Sequence, residues 1–283
     1  MIDETVEEIE QMQTHSSSVV AVKAADALRA FTEGEYPTVE EFQRTLERNS
    51  SALRRANPSH ASLQNAMLEI VDTVDDADTE SVAEAQAVLS ETIDEVVDTI
   101  ERGKSRAAEN GKELFEDGMT ILTHDYSSTV LEAIEAAARD GIHMEVYVTE
   151  ARPRYLGRKT ARVLSAIDRI DTHLVVDSAA GHFLPECDRV VTGMSCIVED
   201  TLYNRVGTYP IAATADDLGV PMTVIGSGAK IIDGGFAFEN DIRSPSEVMR
   251  EPAEGFSVEN PAYDATPTRL LDSVVTDDGI QQY

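Results

Sequence analysis

From Glu113 onward, short apolar runs recur with helical or irregular stretches between them: Met119 to Leu122, Met144 to Val148, His173 to Val176, Arg189 to Val191 and Met222 to Ile225. Short runs rich in Val and Ile read as strands, and their alternation with longer connections predicts a doubly wound parallel sheet with helices on both faces. The clearest unit lies within residues 119–160, where a helical pattern from Ser127 to Arg139 joins the first two runs as one βαβ element. A late run, Leu271 to Val275, completes the sheet. The proline-rich stretch from Ser244 to Thr268 reads as an ordered but irregular excursion, and the short polar tail after Gly279 is expected to fray.

Upstream the period differs. Residues 1–110 are rich in Ala, Glu, Val and Leu at helical spacing, without a convincing strand. Val19, Val22, Ala25, Leu28 and Phe31 fall on one predicted face. Thr38 with Glu41 and Ser81 with Glu84 have capping-box spacing, the second starting a helix that runs toward Asn110 with Val88, Ile93, Val96 and Ile100 inward. Between them, Arg54-Arg55-Ala56-Asn57-Pro58-Ser59 breaks the pattern, because proline disfavours helical geometry in the residue before it. That break is either a plain loop or a segment presenting Arg55 to a ligand. The predicted class is α/β: a helical domain over 1–112, then a parallel-sheet domain over 113–283.

Composition narrows the function. The 283 residues carry 53 acidic and 23 basic side chains, a formal charge of −30, so the surface is unsuited to coating nucleic acid directly. Only five of the basic residues are Lys and there is no Trp, which fits either a salt-adapted (halophilic) protein, whose self-repulsion is screened, or an ordinary acidic one. Cys187 and Cys196 stand without a CxxC or Cys/His cluster, so neither a disulfide framework nor a metal site is expected. The N-terminus is acidic and no apolar run reaches membrane-spanning length; the expectation is a cytoplasmic protein with no membrane association.

In open parallel sheets ligands sit beyond the carboxyl ends of the strands. Collecting those ends gives His124, Asp125, Glu150, Arg152, Asp177, Ser178, Gly193 and Ser195. The stretch from Arg152 to Arg169 holds Arg152, Arg154, Arg158, Lys159, Arg162 and Arg169 against the single acid Asp168, a basic island that suits a phosphorylated small molecule or else a solvated helix face. Asn204-Arg205-Val206-Gly207-Thr208 leads into an apolar helix from Tyr209 to Leu218, whose start, with Thr208 as cap, offers a second anion site. Gly226-Ser227-Gly228 suits either close backbone approach to a ligand or a tight turn. His124 beside Asp125 suits a ligand contact or a satisfied buried pair holding the turn equally well.

THDYSST, TEARPRYLG, VVDSAAGHF, the stretch from Gly193 to NRVGT, and ENPAYDATP together resemble the superfamily of translation initiation factor 2B alpha, beta and delta subunits. That superfamily includes methylthioribose-1-phosphate isomerase and archaeal ribose-1,5-bisphosphate isomerase, and the chain looks like a haloarchaeal-type member. The resemblance implies a helical N-terminal domain, a Rossmann-like C-terminal domain through which a homodimer forms, and no cofactor. It also implies an isomerase site built on a cysteine in a THC motif and an aspartate in a GAD motif. Here those motifs read Thr123-His124-Asp125 and Gly193-Met194-Ser195, so both catalytic positions, Asp125 and Ser195, are substituted. An arginine and glycine near the family's second helix correspond to His15-Ser16-Ser17-Ser18 and are absent. Arg152 matches the TE(S/A/T)RP arginine, and the family's asparagine-lysine pair is Asn204-Arg205, which keeps the charge.

Moving a proton between adjacent sugar carbons requires a positioned acid and base, each contributing roughly 10² to 10⁴-fold, so the double substitution bears directly on activity. Three readings follow. The leading one is a non-catalytic, pseudoenzyme-like protein that binds a phosphorylated sugar or nucleotide as a regulatory ligand through Arg55, His124, Arg152, Asn204 and Arg205, with an initiation factor 2-like protein as a partner. The second is a ribose-1,5-bisphosphate isomerase with a rebuilt active site. The third is a structural subunit without a small-molecule ligand.

Overall fold

The computed structural model describes residues 2–10, 17–232, 238–251 and 254–283; His15 and Ser16 lie outside them. The chain divides into two compact units, Met1–Arg102 and Gly103–Tyr283.

The first unit is helical: α1 (Asp3–Glu10), α2 (Ser17–Leu28), α3 (Val39–Ala56), α4 (Ala61–Asp76) and the first part of α5 (Val82–Lys112). The Thr38 hydroxyl accepts from the Glu41 amide and starts α3; Ser81 does the same for Glu84 at the head of α5. Phe42, Leu46, Leu53, Met67, Ile70, Leu89 and Ile93 fill one core. The buried face of α2 differs from the expected one: Val20, Ala21, Ala24, Ala25 and Leu28 point inward, whereas Val19 is 45% exposed. A helix with apolar residues around most of its circumference leaves its inward side to be chosen by its neighbours. The α3 helix ends at Ala56, with Asn57 extended before Pro58.

The second unit is built on a seven-stranded sheet in the order β11-β10-β7-β4-β1-β2-β3. Its strands are β1 (Met119–His124), β2 (Met144–Thr149), β3 (Ile170–Val175), β4 (Arg189–Thr192), β7 (Met222–Ile225), β10 (Ser273–Thr276) and β11 (Gly279–Gln282). All pairings are parallel except β10 with β11. The tail expected to fray is therefore an edge strand, because four residues suffice to pair once Gly279 (φ 119°) turns the chain back. Successive residues of each strand serve opposite faces. Ile121, Val146, Val191 and Ile225 pack in one core with helix α6 (Ser128–Arg139), and Leu122, Tyr147, Val190 and Val224 pack in the other with α9 (Thr208–Leu218). Helix α7 (Leu156–Leu164) follows β2, and α8 (Ala180–Phe183) follows β3.

A second sheet, ordered β8-β5-β6-β9, is made of β5 (Cys196–Val198), β6 (Thr201–Arg205), β8 (Ile231–Ile232) and β9 (Tyr263–Pro267). The stretch read as an irregular excursion thus contains the short helix α10 (Pro245–Val248) and the strand β9, which pairs with β6 over five residues despite Pro267 at its end. A proline at a strand terminus removes no interior ladder bond.

Candidate functional site

The strand order reverses around β1, which has β4 on one side and β2 on the other. Crossovers diverge there, leaving a crevice beyond the carboxyl ends of β1 and β4. Asp125 follows β1 and Gly193-Met194-Ser195 follows β4, so both substituted positions border the crevice. The two segments touch: a Cβ on Gly193 would lie 2.5 Å from Ser127 Oγ.

Asp125 has a left-handed backbone (φ 65°), and its carbonyl accepts from Thr160 Oγ1 at 2.7 Å. Such a conformation is strained for most residues and tolerated best by Asn and Asp. Its side chain is 12% exposed. Oδ2 accepts from Arg205 Nε at 3.2 Å, and Oδ1 has no partner among the described residues. Arg205, on β6, is 8% exposed; Nη1 donates to the Ala262 carbonyl at 3.4 Å, and the guanidinium lies 4.9 Å from the centre of the Tyr263 ring. Burial alone would lower the Arg205 pKa, but Asp125 and Tyr263 outweigh it and raise it. The Tyr263 hydroxyl is pushed up, chiefly by its own burial.

His124 makes no bond to Asp125. Its Nε2 donates to the Val206 carbonyl at 2.9 Å, and its Nδ1 lies 2.6 Å from Thr149 Oγ1. A carbonyl can only accept, so Nε2 carries a proton. The β1–β2 register, which pairs His124 with Thr149, sets this contact. His124 thereby anchors the start of α9: at Gly207 (φ 108°) a Cβ would stand 2.7 Å from its ring.

The start of α9 is already occupied. Asp264 Oδ2 accepts from the amides of Gly207 at 2.8 Å and Tyr209 at 3.0 Å, so a carboxylate of the chain fills the anion site expected there. Thr208 is not the cap, a position taken by Gly207. Its hydroxyl donates to the Arg205 carbonyl and accepts from Asn204 Nδ2. Asn204 is therefore a buried brace in this structure.

In the basic island, Asp177 accepts from the amides of Ala151 and Arg152 at 2.8 and 2.7 Å and holds the turn after β2, while the Arg152 guanidinium is exposed beside Tyr155 and the Val248 carbonyl. Arg158 is paired with Glu150 at 2.6 Å, and Lys159 lies over the Tyr126 ring. Arg154 is the more enclosed member. Its pKa is lowered, first by burial and then by Arg243 and Arg205, with Glu247 and Asp125 opposing. Arg243 and Arg205 thus each disfavour the charge on Arg154. Arg154 was legible as part of the island, and Tyr263 and Asp264 lie in the ENPAYDATP motif, but Arg243 carries no sequence signal. Arg55 belongs to the last turn of α3, not to a loop, and bonds Ser51 Oγ at 2.8 Å within the first unit. Ser195 is half-buried, its amide bonded to the Tyr203 carbonyl. Among the described residues no group of His, Cys, Asp and Glu could hold a metal, and no helix is long and apolar enough to cross a membrane.

The sequence profile of the Initiation factor 2 subunit family spans residues 13–282. The chain belongs to that family. It is 31% identical to the ribose 1,5-bisphosphate isomerase of Haloferax volcanii over 97% of this chain and 87% of that protein. With the ribose 1,5-bisphosphate isomerase of Methanocaldococcus jannaschii it shares 30% over 99% and 91%. The crystal structure of the Pyrococcus horikoshii translation initiation factor eIF-2B superposes with a TM-score of 0.83 at 25% identity, covering 99% of this chain and 96% of that one. The two-part architecture, a helical region followed by a mostly parallel sheet, is the one seen in that solved structure.

Proposed function

We propose that this protein binds a phosphorylated pentose at the carboxyl ends of β1 and β4 and interconverts its aldose and ketose forms, as a ribose 1,5-bisphosphate isomerase whose active site is rebuilt around Asp125. The observation that carries this reading is the buried Asp125 carboxylate, fixed through one oxygen by Arg205 and presenting the other without a partner among the described residues. The reaction transfers a proton from one sugar carbon to its neighbour and needs no oxidant or reductant. The bond from C1 to the ring oxygen breaks and that oxygen takes a proton, a base removes the proton on C2, a proton returns to C1, and the C2 hydroxyl gives up its proton to leave the ketone. Asp125 Oδ1 is the base in this scheme. Arg205 and Arg154 stabilise the negative charge that develops on the C2 oxygen and the phosphate charge. Relatives named for this activity, at 30–31% identity over nearly the whole chain, support the same reading.

A second reading, a non-catalytic sensor of a phosphorylated sugar or nucleotide, is favoured by Ser195, which supplies no carboxylate where the resemblance expects one. In that case an initiation factor 2-like protein is the expected partner. Both readings include a homodimer, for which the edge strand β3, with Leu174 49% exposed, offers apolar surface.

A phosphorus NMR time course with ribose 1,5-bisphosphate in molar potassium chloride separates them. The isomerase reading expects ribulose 1,5-bisphosphate to accumulate with wild type and not with Asp125→Asn. Broadened substrate signals without turnover would establish the sensor, and unchanged signals would refute both.

A further inference from the structure

Beside the Asp125–Arg205 pair lies a second constellation, made by the turn after β2 and the segment leading into α10. Arg243 donates to Asp241 at 3.0 Å and to Glu247 Oε1 at 3.0 and 3.3 Å, while Arg154 Nε stands 3.9 Å from the same Glu247 oxygen. Asn260 Nδ2 contacts the other Glu247 oxygen at 3.3 Å and the Ser244 carbonyl at 3.1 Å. The side chains of Arg154, Arg243 and Glu247 are 17, 16 and 22% exposed, enclosed yet reachable from solvent.

This geometry gives Glu247 an unequal position. Its Oε1 accepts from Arg243 Nε and Nη2 at 3.3 and 3.0 Å, and the same oxygen stands 3.9 Å from Arg154 Nε. A carboxylate offers two oxygens and one charge. A phosphate monoester offers three oxygens and up to two charges, which suits two converging guanidinium forks better.

We propose that Arg154 and Arg243 form a phosphoryl subsite adjoining Asp125 and Arg205, and that Glu247 occupies it as an internal stand-in that an incoming phosphate displaces. The subsite rests on the functional reading above for the identity of the sugar, though its affinity for a bare phosphate does not depend on that sugar. It accounts for where a phosphoryl group goes when the start of α9 is filled by Asp264. A ligand with two phosphoryl groups would place one near Arg205 and the other against Arg154 and Arg243.

Calorimetric titration at constant potassium chloride, with inorganic phosphate and separately with ribose 1,5-bisphosphate, tests this. Glu247→Gln keeps the shape and the Asn260 contact but removes the competing charge, and both probes should bind roughly tenfold tighter; Arg154→Met should weaken both by roughly tenfold, and the double variant should lose the gain. Should the Gln variant not fold, Glu247→Asp withdraws the carboxylate from Arg154 and should tighten binding in the same direction. Unchanged or weaker phosphate binding in a folded Glu247 variant overturns the subsite. If Glu247→Gln binds inorganic phosphate through Arg154 while the sugar bisphosphate neither binds nor turns over in any variant, the subsite stands and the isomerase reading falls.

Discussion

Arg205 Nε lies 3.2 Å from Asp125 Oδ2, with the two side chains 9% and 12% exposed. The pair joins the left-handed turn after β1 to the strand β6 of the second sheet, 80 residues away in the chain. Removing one partner strands the other charge in a low-dielectric environment, at a cost of about 3–5 kcal/mol. Arg205→Met should therefore destabilise the fold by about that much in chemical denaturation. Asp125→Asn, which tolerates the same backbone conformation, should cost a similar amount, and the double variant should lose markedly less than the sum. Additive losses would mean that the two residues act independently.

Gly207 combines a φ of 108° with a Cβ direction that runs 2.7 Å into the His124 ring. Gly207→Ala should cost about 1–3 kcal/mol from backbone strain alone. It should also weaken sugar-phosphate binding more than an equally destabilising core substitution, because it displaces the helix start that adjoins Arg205. Matching the two variants by melting temperature and comparing their titrations checks this. Equal affinities would show that His124 and Gly207 serve stability only.

Lys230 is buried, its ammonium bonded to the Met194 carbonyl at 3.1 Å, and burial lowers its pKa from 10.5 to about 8. The folded chain then binds fewer protons than the unfolded chain between about pH 8 and 10.5, so this group makes stability rise with pH across that window. Burial pushes the Cys187 and Cys196 thiols up to about 12 from 9, which has the opposite sign: above pH 9 the unfolded chain loses those protons first and stability falls. The Lys230 contribution alone is a gain of about 1 kcal/mol between pH 8 and 9, which the two thiols partly offset in that interval and reverse at higher pH. In Lys230→Met the gain should vanish while the decline remains, as followed by urea denaturation at each pH.

With a net charge of −30, the folded chain repels itself most strongly when counter-ions are scarce. The Debye length shortens from about 10 Å at 0.1 M salt to about 3 Å at 1 M. The melting temperature should rise steeply with potassium chloride over that range and flatten beyond it. A melting temperature indifferent to salt would assign the acidic surface to some role other than salt adaptation.

The sequence by itself determined the alternation of elements and the fold class. β7 lies where its apolar run places it, β2 and α6 differ from their runs by a residue at one end and β1 by two, because residues buried on both faces of a parallel sheet must be apolar throughout and helix starts carry their own capping chemistry. It also put Asp125 and Ser195 among the strand ends, whereas the strand order that sets β1 beside β4 came from the tertiary structure. What it left open depended on partners distant in the chain. Nothing local distinguishes Thr208 from a helix cap until Asp264, 56 residues later, is seen holding the amides of Gly207 and Tyr209. Nothing local selects Arg154 over Arg152, because that choice rests on Arg243 and Glu247 arriving from a different segment. The pairing of Asp125 with Arg205, and the tail's conversion from a frayed end to an edge strand, were likewise decided only by tertiary structure: hydrogen bonds and ion pairs are satisfied through space, and one sequence read in order does not say which donor will reach which acceptor.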